Sequence, residues 1–161
     1  MQTERFSIRP AHAAELEAIN AVIEACVMGW NLPPRVKRLA LGSYLYGSHD
    51  FAFMDIVLAE QAGNGLAGVA ALEAADPADL PAGIADGLLL HGLYVAPAWQ
   101  RKGIGTQLVE QAMRRVRDRN LGGLLVKAQR EAVEFFQTDG FIPLAVDNPA
   151  TDYADRWWKP A

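Results

Sequence analysis

Apolar and polar positions alternate in two rhythms along this chain, and the change from one to the other marks out its elements. Phe6-Ser7-Ile8-Arg9 alternates and stops at Pro10, which predicts a short strand. From Ala11 to Val27 the apolar residues Ala14, Leu16, Ile19, Val22, Ile23 and Cys26 fall close to helical spacing. Gly29 and Asn31-Leu32-Pro33-Pro34 end that helix, and Pro34 suits the first turn of a second one through Tyr46. Phe51 to Glu60 reads as a strand, Gly63-Asn64-Gly65 as a turn, and Leu66 to Ala74 as the return strand of a hairpin. A loop from Asp76 to Gly83 leads into Leu88 to Val95, an apolar strand. Thr106 to Arg119 is a helix with Leu108, Val109, Ala112, Met113 and Val116 on one face. Leu124 to Ala128 is a strand and Glu131 to Thr138 a helix. Phe141 to Val146 and Arg156 to Lys159 are the last strands, joined by a polar loop. There is no repeat and no linker, so residues 1–161 are expected to form one domain with an α/β layer structure.

One junction carries more chemistry than the rest. The strand from Leu88 to Val95 turns at Pro97 and enters Gln100-Arg101-Lys102-Gly103-Ile104-Gly105-Thr106, which opens a helix. Two glycines let the backbone curl so that several N–H groups point at one spot, and the helix N-terminus adds partial positive charge there. Arg101 and Lys102 add full charges beside it. The pattern suits a phosphate group. It is not a Walker A loop, because no Gly-Lys-Ser/Thr follows the glycines, and Gly-x-Gly-x-x-Gly is absent as well.

What remains, Gln/Arg-x-x-Gly-x-Gly/Ala, resembles the turn with which the GCN5-related N-acetyltransferase (GNAT) family holds the pyrophosphate of acetyl-coenzyme A. Leu93-Tyr94-Val95-Ala96-Pro97 looks like that family's fourth strand and its exit. Gln129 to Phe141 looks like its later helix, usually Asn-x-x-Ala-x-x-x-Tyr-x-x-x-Gly-Phe. Ala132, Gly140 and Phe141 match in register, while Gln129 and Phe136 stand where Asn and Tyr are usual. The resemblance is carried by Leu88 to Phe141 and is architectural before that. It implies the acyl-coenzyme A N-acyltransferase fold, a mixed central β-sheet with helices on both faces, with acetyl-coenzyme A as co-substrate and no metal.

The resemblance also implies roles. The backbone of Leu93, Tyr94 and Val95 would line the pantetheine arm. The segment Gln100, Arg101, Lys102, Gly103, Ile104, Gly105 and Thr106 would face the pyrophosphate. Gln129 would bond the pantetheine in place of the family's asparagine, and Phe136 would pack against the core and cofactor. The family joins an acetyl thioester to a primary amine, which must be neutral to attack, so a base or a water chain must take its proton. The carbonyl oxygen needs donors as it gains charge, and strand N–H groups supply them. The leaving thiolate wants a proton, usually from a tyrosine, and Phe136 has none to give. Tyr153, in the loop that borders the acceptor site in this family, is the candidate acid, or an ordinary loop aromatic. His91, two residues before Leu93 and so on the same strand face, is the candidate base, or a buried histidine satisfied by hydrogen bonds. Asp76, Asp79 and Asp86 before the strand, and Asp147, Asp152 and Asp155 in the last loop, either attract a cationic amine or are solvated loop carboxylates.

Composition narrows the partners. The chain has 161 residues and a net charge of −4, with a pI near 5.3, which argues against a general nucleic-acid binder. The basic run Arg114-Arg115-Val116-Arg117-Asp118-Arg119 is read as a solvated face near a helix C-terminus. Cys26 is the only cysteine, so no internal disulfide forms, and no Cys/His spacing suits zinc. Asp86 and His91 interrupt the longest apolar stretch, and no signal peptide is visible, so no membrane contact and a cytoplasmic location are expected. The expected activity is acetyl transfer to the amine of a small molecule or peptide. The alternatives are a non-catalytic coenzyme A-binding sensor and a nucleotide-phosphate binder. A strand near Trp157-Trp158, if exposed, would suit a homodimer.

Overall fold

The computed structural model describes residues 6–63, 65–128, 132–146 and 155–161. Its elements, in chain order, are β1 (Phe6–Pro10), α1 (Leu16–Met28), α2 (Pro34–Tyr44), β2 (Asp55–Gln61), β3 (Gly65–Ala74), β4 (Leu88–Val95), α3 (Ile104–Asp118), β5 (Gly123–Ala128), α4 (Val133–Thr138), β6 (Ile142–Leu144) and β7 (Asp155–Pro160). The strands form one seven-stranded sheet in the order β1-β2-β3-β4-β5-β7-β6. It is mixed: β4 and β5 run parallel, whereas β1 with β2, β5 with β7, and β6 with β7 run antiparallel. The α/β fold expected from the sequence is the fold observed.

The chain gathers into two compact units, the first from Met1–Ala71 and Gly92–Val109, the second from Leu72–His91 and Glu110–Ala161. In the first, α1 buries Ile19, Val22, Ile23, Cys26 and Val27. Their spacing of three and four residues puts them on one helical face. They pack on Ile56 and Leu58 of β2 and on Val69 and Ala71 of β3. In the second, Leu125 and Trp158 form a small core with Ala75, covered by Leu80, Ile84, Leu89 and Leu144.

Several boundaries move for local reasons. Ser48–Ala52 is a tight 3-10 turn, and the strand expected from Phe51 starts only at Asp55. The Asp50 carboxylate accepts the Gly47 N–H at 2.7 Å and its carbonyl accepts the Met54 N–H at 2.8 Å, so the backbone is committed to turns there. Helix α3 begins two residues early, at Ile104, which places Gly105 inside it. Strand β6 is cut to Ile142–Leu144, because Phe141 leaves the sheet to pack edge-on against Phe136 at 5.1 Å. Trp157 and Trp158 are each 5 % exposed and lie on β7, which has β5 on one side and β6 on the other. The edge strand beside them is β6, where Ile142 is exposed.

An ion cluster ties β1 to its neighbours. Arg9 donates to both oxygens of Glu15, at 2.8 and 2.6 Å, and through Nε to Glu60 at 2.8 Å. Arg9 holds the Glu15 carboxyl down at about 2, against an ordinary 4.5. A lowered folded-state pKa means the stabilisation is complete above pH ~5 and is lost as pH falls toward 2. Glu15→Gln should therefore cost about 1 kcal/mol at neutral pH, a value discounted for partial exposure. In urea titrations the gap between variant and wild type should close between pH ~5 and ~2; a gap independent of pH would refute this account.

Candidate active site

The site is built at the end of β4, where the chain turns into α3. Gly92, Leu93, Tyr94 and Val95 are all half-buried. The Val95 carbonyl accepts two hydrogen bonds, from Cys26 Sγ and from Gln100 Nε2, each at 3.0 Å. The next amide, Ala96 N–H, donates to Ala67 at 2.8 Å, and Trp99 N–H closes a 3-10 turn onto Ala96 at 2.8 Å. The strand end is thus fixed by α1, by β3 and by its own turn. Both lone pairs of the Val95 carbonyl are used.

Beyond it the backbone curls. Arg101 has φ 63° and Gly103 φ 81°, the left-handed region that is costly for a residue with a Cβ. The first helical hydrogen bond runs from Gln107 N–H to Gly103 at 3.1 Å. The amides of Ile104, Gly105 and Thr106 precede it and have no acceptor within the helix. They form the N-terminal end of a 15-residue helix, where N–H donors and the helix dipole suit an anion. The turn is seated from beneath: Ile104 and Leu108 are buried, and a Cβ on Gly68 of β3 would meet a carbon of each at 3.0 Å. The absent side chain at Gly68 lets α3 approach β3.

The charges stand on the outer side. Arg101, Lys102 and Thr106 are exposed. The Lys102 ammonium lies 5.0 Å from the Trp99 ring centroid, a cation–π contact, and Phe6 of β1 meets that ring edge-on at 5.7 Å. Cys26 is buried, and burial pushes its thiol up to about 11, so it is no nucleophile at neutral pH.

The other sequence-derived candidates fare differently. His91 is exposed in the middle of β4, which overturns its reading as a buried histidine. Gln129, Tyr153, Asp147 and Asp152 lie outside the described residues. Phe136 is 5 % exposed and wedged between Phe135 and Phe141, each at 5.1 Å. Two carboxylates once open as amine attractors have structural partners: Asp79 pairs with Lys127 at 2.9 Å, and Asp76 accepts the Ala78 N–H at 2.9 Å. In the basic run of α3, Glu110 pairs with Arg117 at 2.8 Å and lies 3.9 Å from Arg114. Among the described residues no group of three His, Cys, Asp or Glu is placed to hold a metal ion, and no helix is long and apolar enough to cross a membrane.

The sequence reading missed four contributors: Cys26, Gly68, Gly92 and Tyr46. A Cβ on Gly92 would lie 2.5 Å from the Tyr46 hydroxyl oxygen and 2.8 Å from the Tyr94 ring. A glycine inside an apolar strand was the available signal for Gly68 and Gly92. Cys26 and Tyr46 had none, since their partners are 69 and 46 residues away in the chain.

Residues 52–151 match the family model of the acetyltransferase (GNAT) domain, and the chain belongs to that family. No curated protein matches it in sequence. Among solved structures it is similar to a PaiA N-acetyltransferase from Thermoplasma acidophilum in complex with coenzyme A, with 16% identity, a TM-score of 0.75, and coverage of 98% of this chain and 99% of that one. It is similar to a GCN5-related N-acetyltransferase from Rhodopseudomonas palustris, with 19% identity, a TM-score of 0.72, and coverage of 100% and 99%. A third similar structure is AtaT complexed with acetyl-methionyl-tRNAfMet, with 18% identity, a TM-score of 0.65, and coverage of 97% and 95%.

The φ values correct one expectation. Gly105 is helical, a conformation open to any residue, so the conformational argument applies to Gly103 alone. Space around Gly103 is open, so an added methyl group acts through the backbone. Gly103→Ala should weaken coenzyme A binding at least tenfold, about 1.4 kcal/mol, with Gly105→Ala affected less. Calorimetry giving wild-type affinity for folded Gly103→Ala would remove the turn from the site.

Proposed function

We propose that this protein moves the acetyl group of acetyl-coenzyme A to a primary amine of a small molecule or peptide. The observation that carries the reading is the turn from Arg101 to Thr106. It has two left-handed residues, three amides without helical acceptors and two exposed cations. A pyrophosphate needs that chemistry, and the clamped strand end next to it suits an extended pantetheine arm. The PaiA structure with coenzyme A supports the same ligand. In this reading Leu93 and Val95 align the arm, the turn holds the phosphates, and His91 takes the proton of the incoming amine, directly or through water. Its exposure suits exchange with solvent. The amine nitrogen bonds to the thioester carbon, the C–S bond breaks, and the thiolate is protonated by an acid, for which Tyr153 is one proposal.

The acceptor is tested with an amine panel in a coenzyme A-release assay. The net charge of −4 and the pairing of Glu110 with Arg117 favour a small or peptidic acceptor. An aminoacyl-tRNA belongs in the panel because the AtaT complex contains one in acetylated form. Turnover with at least one amine is expected. Tight coenzyme A binding without turnover for any amine would favour the second reading, a coenzyme A sensor. The phenylalanine at position 136, where the family has its acid, speaks for that reading.

For His91, the prediction is kinetic. His91→Ala should lower kcat by ~10²-fold, a general base's usual share, and leave coenzyme A affinity within twofold. A variant with wild-type kcat would make His91 a bystander.

A further inference from the structure

The geometry points to Tyr46 as the group that protonates the departing thiolate, a role that rests on the transferase reading above. Strand β4 has a gap in its row of side chains. At Gly92 the strand has no side chain, and the space is taken by the Tyr46 hydroxyl, whose oxygen would be 2.5 Å from a Cβ built there. Tyr94, two residues on, folds its ring over the same glycine, 2.8 Å from that position. Tyr46 is 6 % exposed, and its ring belongs to the cluster that Tyr94 also packs against. A phenol laid against strand backbone at a glycine is a close approach that any other residue at position 92 would block.

The phenol is also held at its other end. The Asn20 side chain of α1 donates to the Tyr46 carbonyl at 2.9 Å and accepts the Tyr46 N–H at 3.0 Å. One amide thus fixes both backbone groups of a residue that lies just past the end of α2. A tyrosine pinned at its backbone and threaded onto a strand keeps its hydroxyl in one place, which an acid requires.

Position along β4 matters next. The coenzyme turn lies at the strand's C-terminal end, and a pantetheine arm laid back from it along Val95 and Leu93 brings the sulfur toward the middle of the strand. Gly92 is three residues before Val95, ~10 Å at the usual rise per residue. The step balances simply. The amine nitrogen bonds to the acetyl carbon and the C–S bond breaks, its electron pair staying on sulfur. The Tyr46 O–H bond then breaks as the S–H bond forms. The phenolate recovers a proton from solvent, to which His91 releases the one it took from the amine. Phe136 supplies no proton, so the assignment fills the vacancy with a residue from a different element.

The test compares three variants on the full chain with the best acceptor of the amine panel. Tyr46→Phe removes one oxygen and should lower kcat by ~10²-fold, with the affinity for acetyl-coenzyme A within twofold and the melting temperature within a few degrees of wild type. Gly92→Ala, which keeps the phenol but displaces its oxygen, should lower kcat as well. A Tyr46→Phe or Gly92→Ala protein with wild-type kcat overturns the proposal. So does a Tyr46→Phe loss matched by an equal loss of acetyl-coenzyme A affinity or of folded protein, which would make Tyr46 a packing residue. A ~10²-fold loss in Tyr153→Phe with Tyr46→Phe unimpaired assigns the proton to Tyr153 and overturns it too. No turnover by the wild type with any amine would end the transferase reading and this proposal together, whereas wild-type turnover with an unimpaired Tyr46→Phe ends only the proposal.

Discussion

The carbonyl of Val95 is the point on which the site depends. A strand that ends next to a tight turn leaves its last backbone groups without ladder partners, and such groups are costly when buried. Here two side chains from different elements satisfy one oxygen, the thiol of Cys26 and the amide of Gln100. The strand can then stop at a fixed residue while the chain turns through the eight residues from Ala96 to Gly103 and enters α3. Without that anchor, the left-handed conformations at Arg101 and Gly103 would lack a rigid base, and strained backbone persists only when its surroundings over-determine it.

Glycines complete this arrangement in two ways. Gly103 has open space around it and contributes a backbone angle. Gly68 and Gly92 lie in crowded strands and contribute a missing side chain, one letting α3 settle on β3 and the other admitting the Tyr46 hydroxyl. The second kind sets distances between elements, and those distances govern where the helix amides and the phenol lie.

The polar groups divide between chemistry and structure by their partners. Asp79 is engaged by Lys127, and its backbone carbonyl by Arg156. The Arg9 cluster fastens the first strand. Arg101 and Lys102, past the end of β4, and His91, in mid-strand, are exposed.

Much of this was legible in the chain. Helix α1 followed from residues spaced by three and four, β4 from its apolar run, and the tight turn between β4 and α3 from two glycines placed between a strand and a helix. Each is a local property, because periodicity and turn chemistry act over a few residues. Local reading also marked Phe136 as a departure from the family pattern. It failed where short-range hydrogen bonds or distant neighbours decide. Ser48–Ala52 turns because Asp50 captures nearby amides. Asp79 is a paired carboxylate because Lys127, 48 residues on, reaches it. His91 is exposed, Trp157 and Trp158 are buried, and Tyr46 meets Gly92 because of how the elements pack. These last facts belong to tertiary structure alone: a hydrogen bond, a covered strand or a filled glycine needs two surfaces, and the sequence orders residues along one line without saying which of them will face each other.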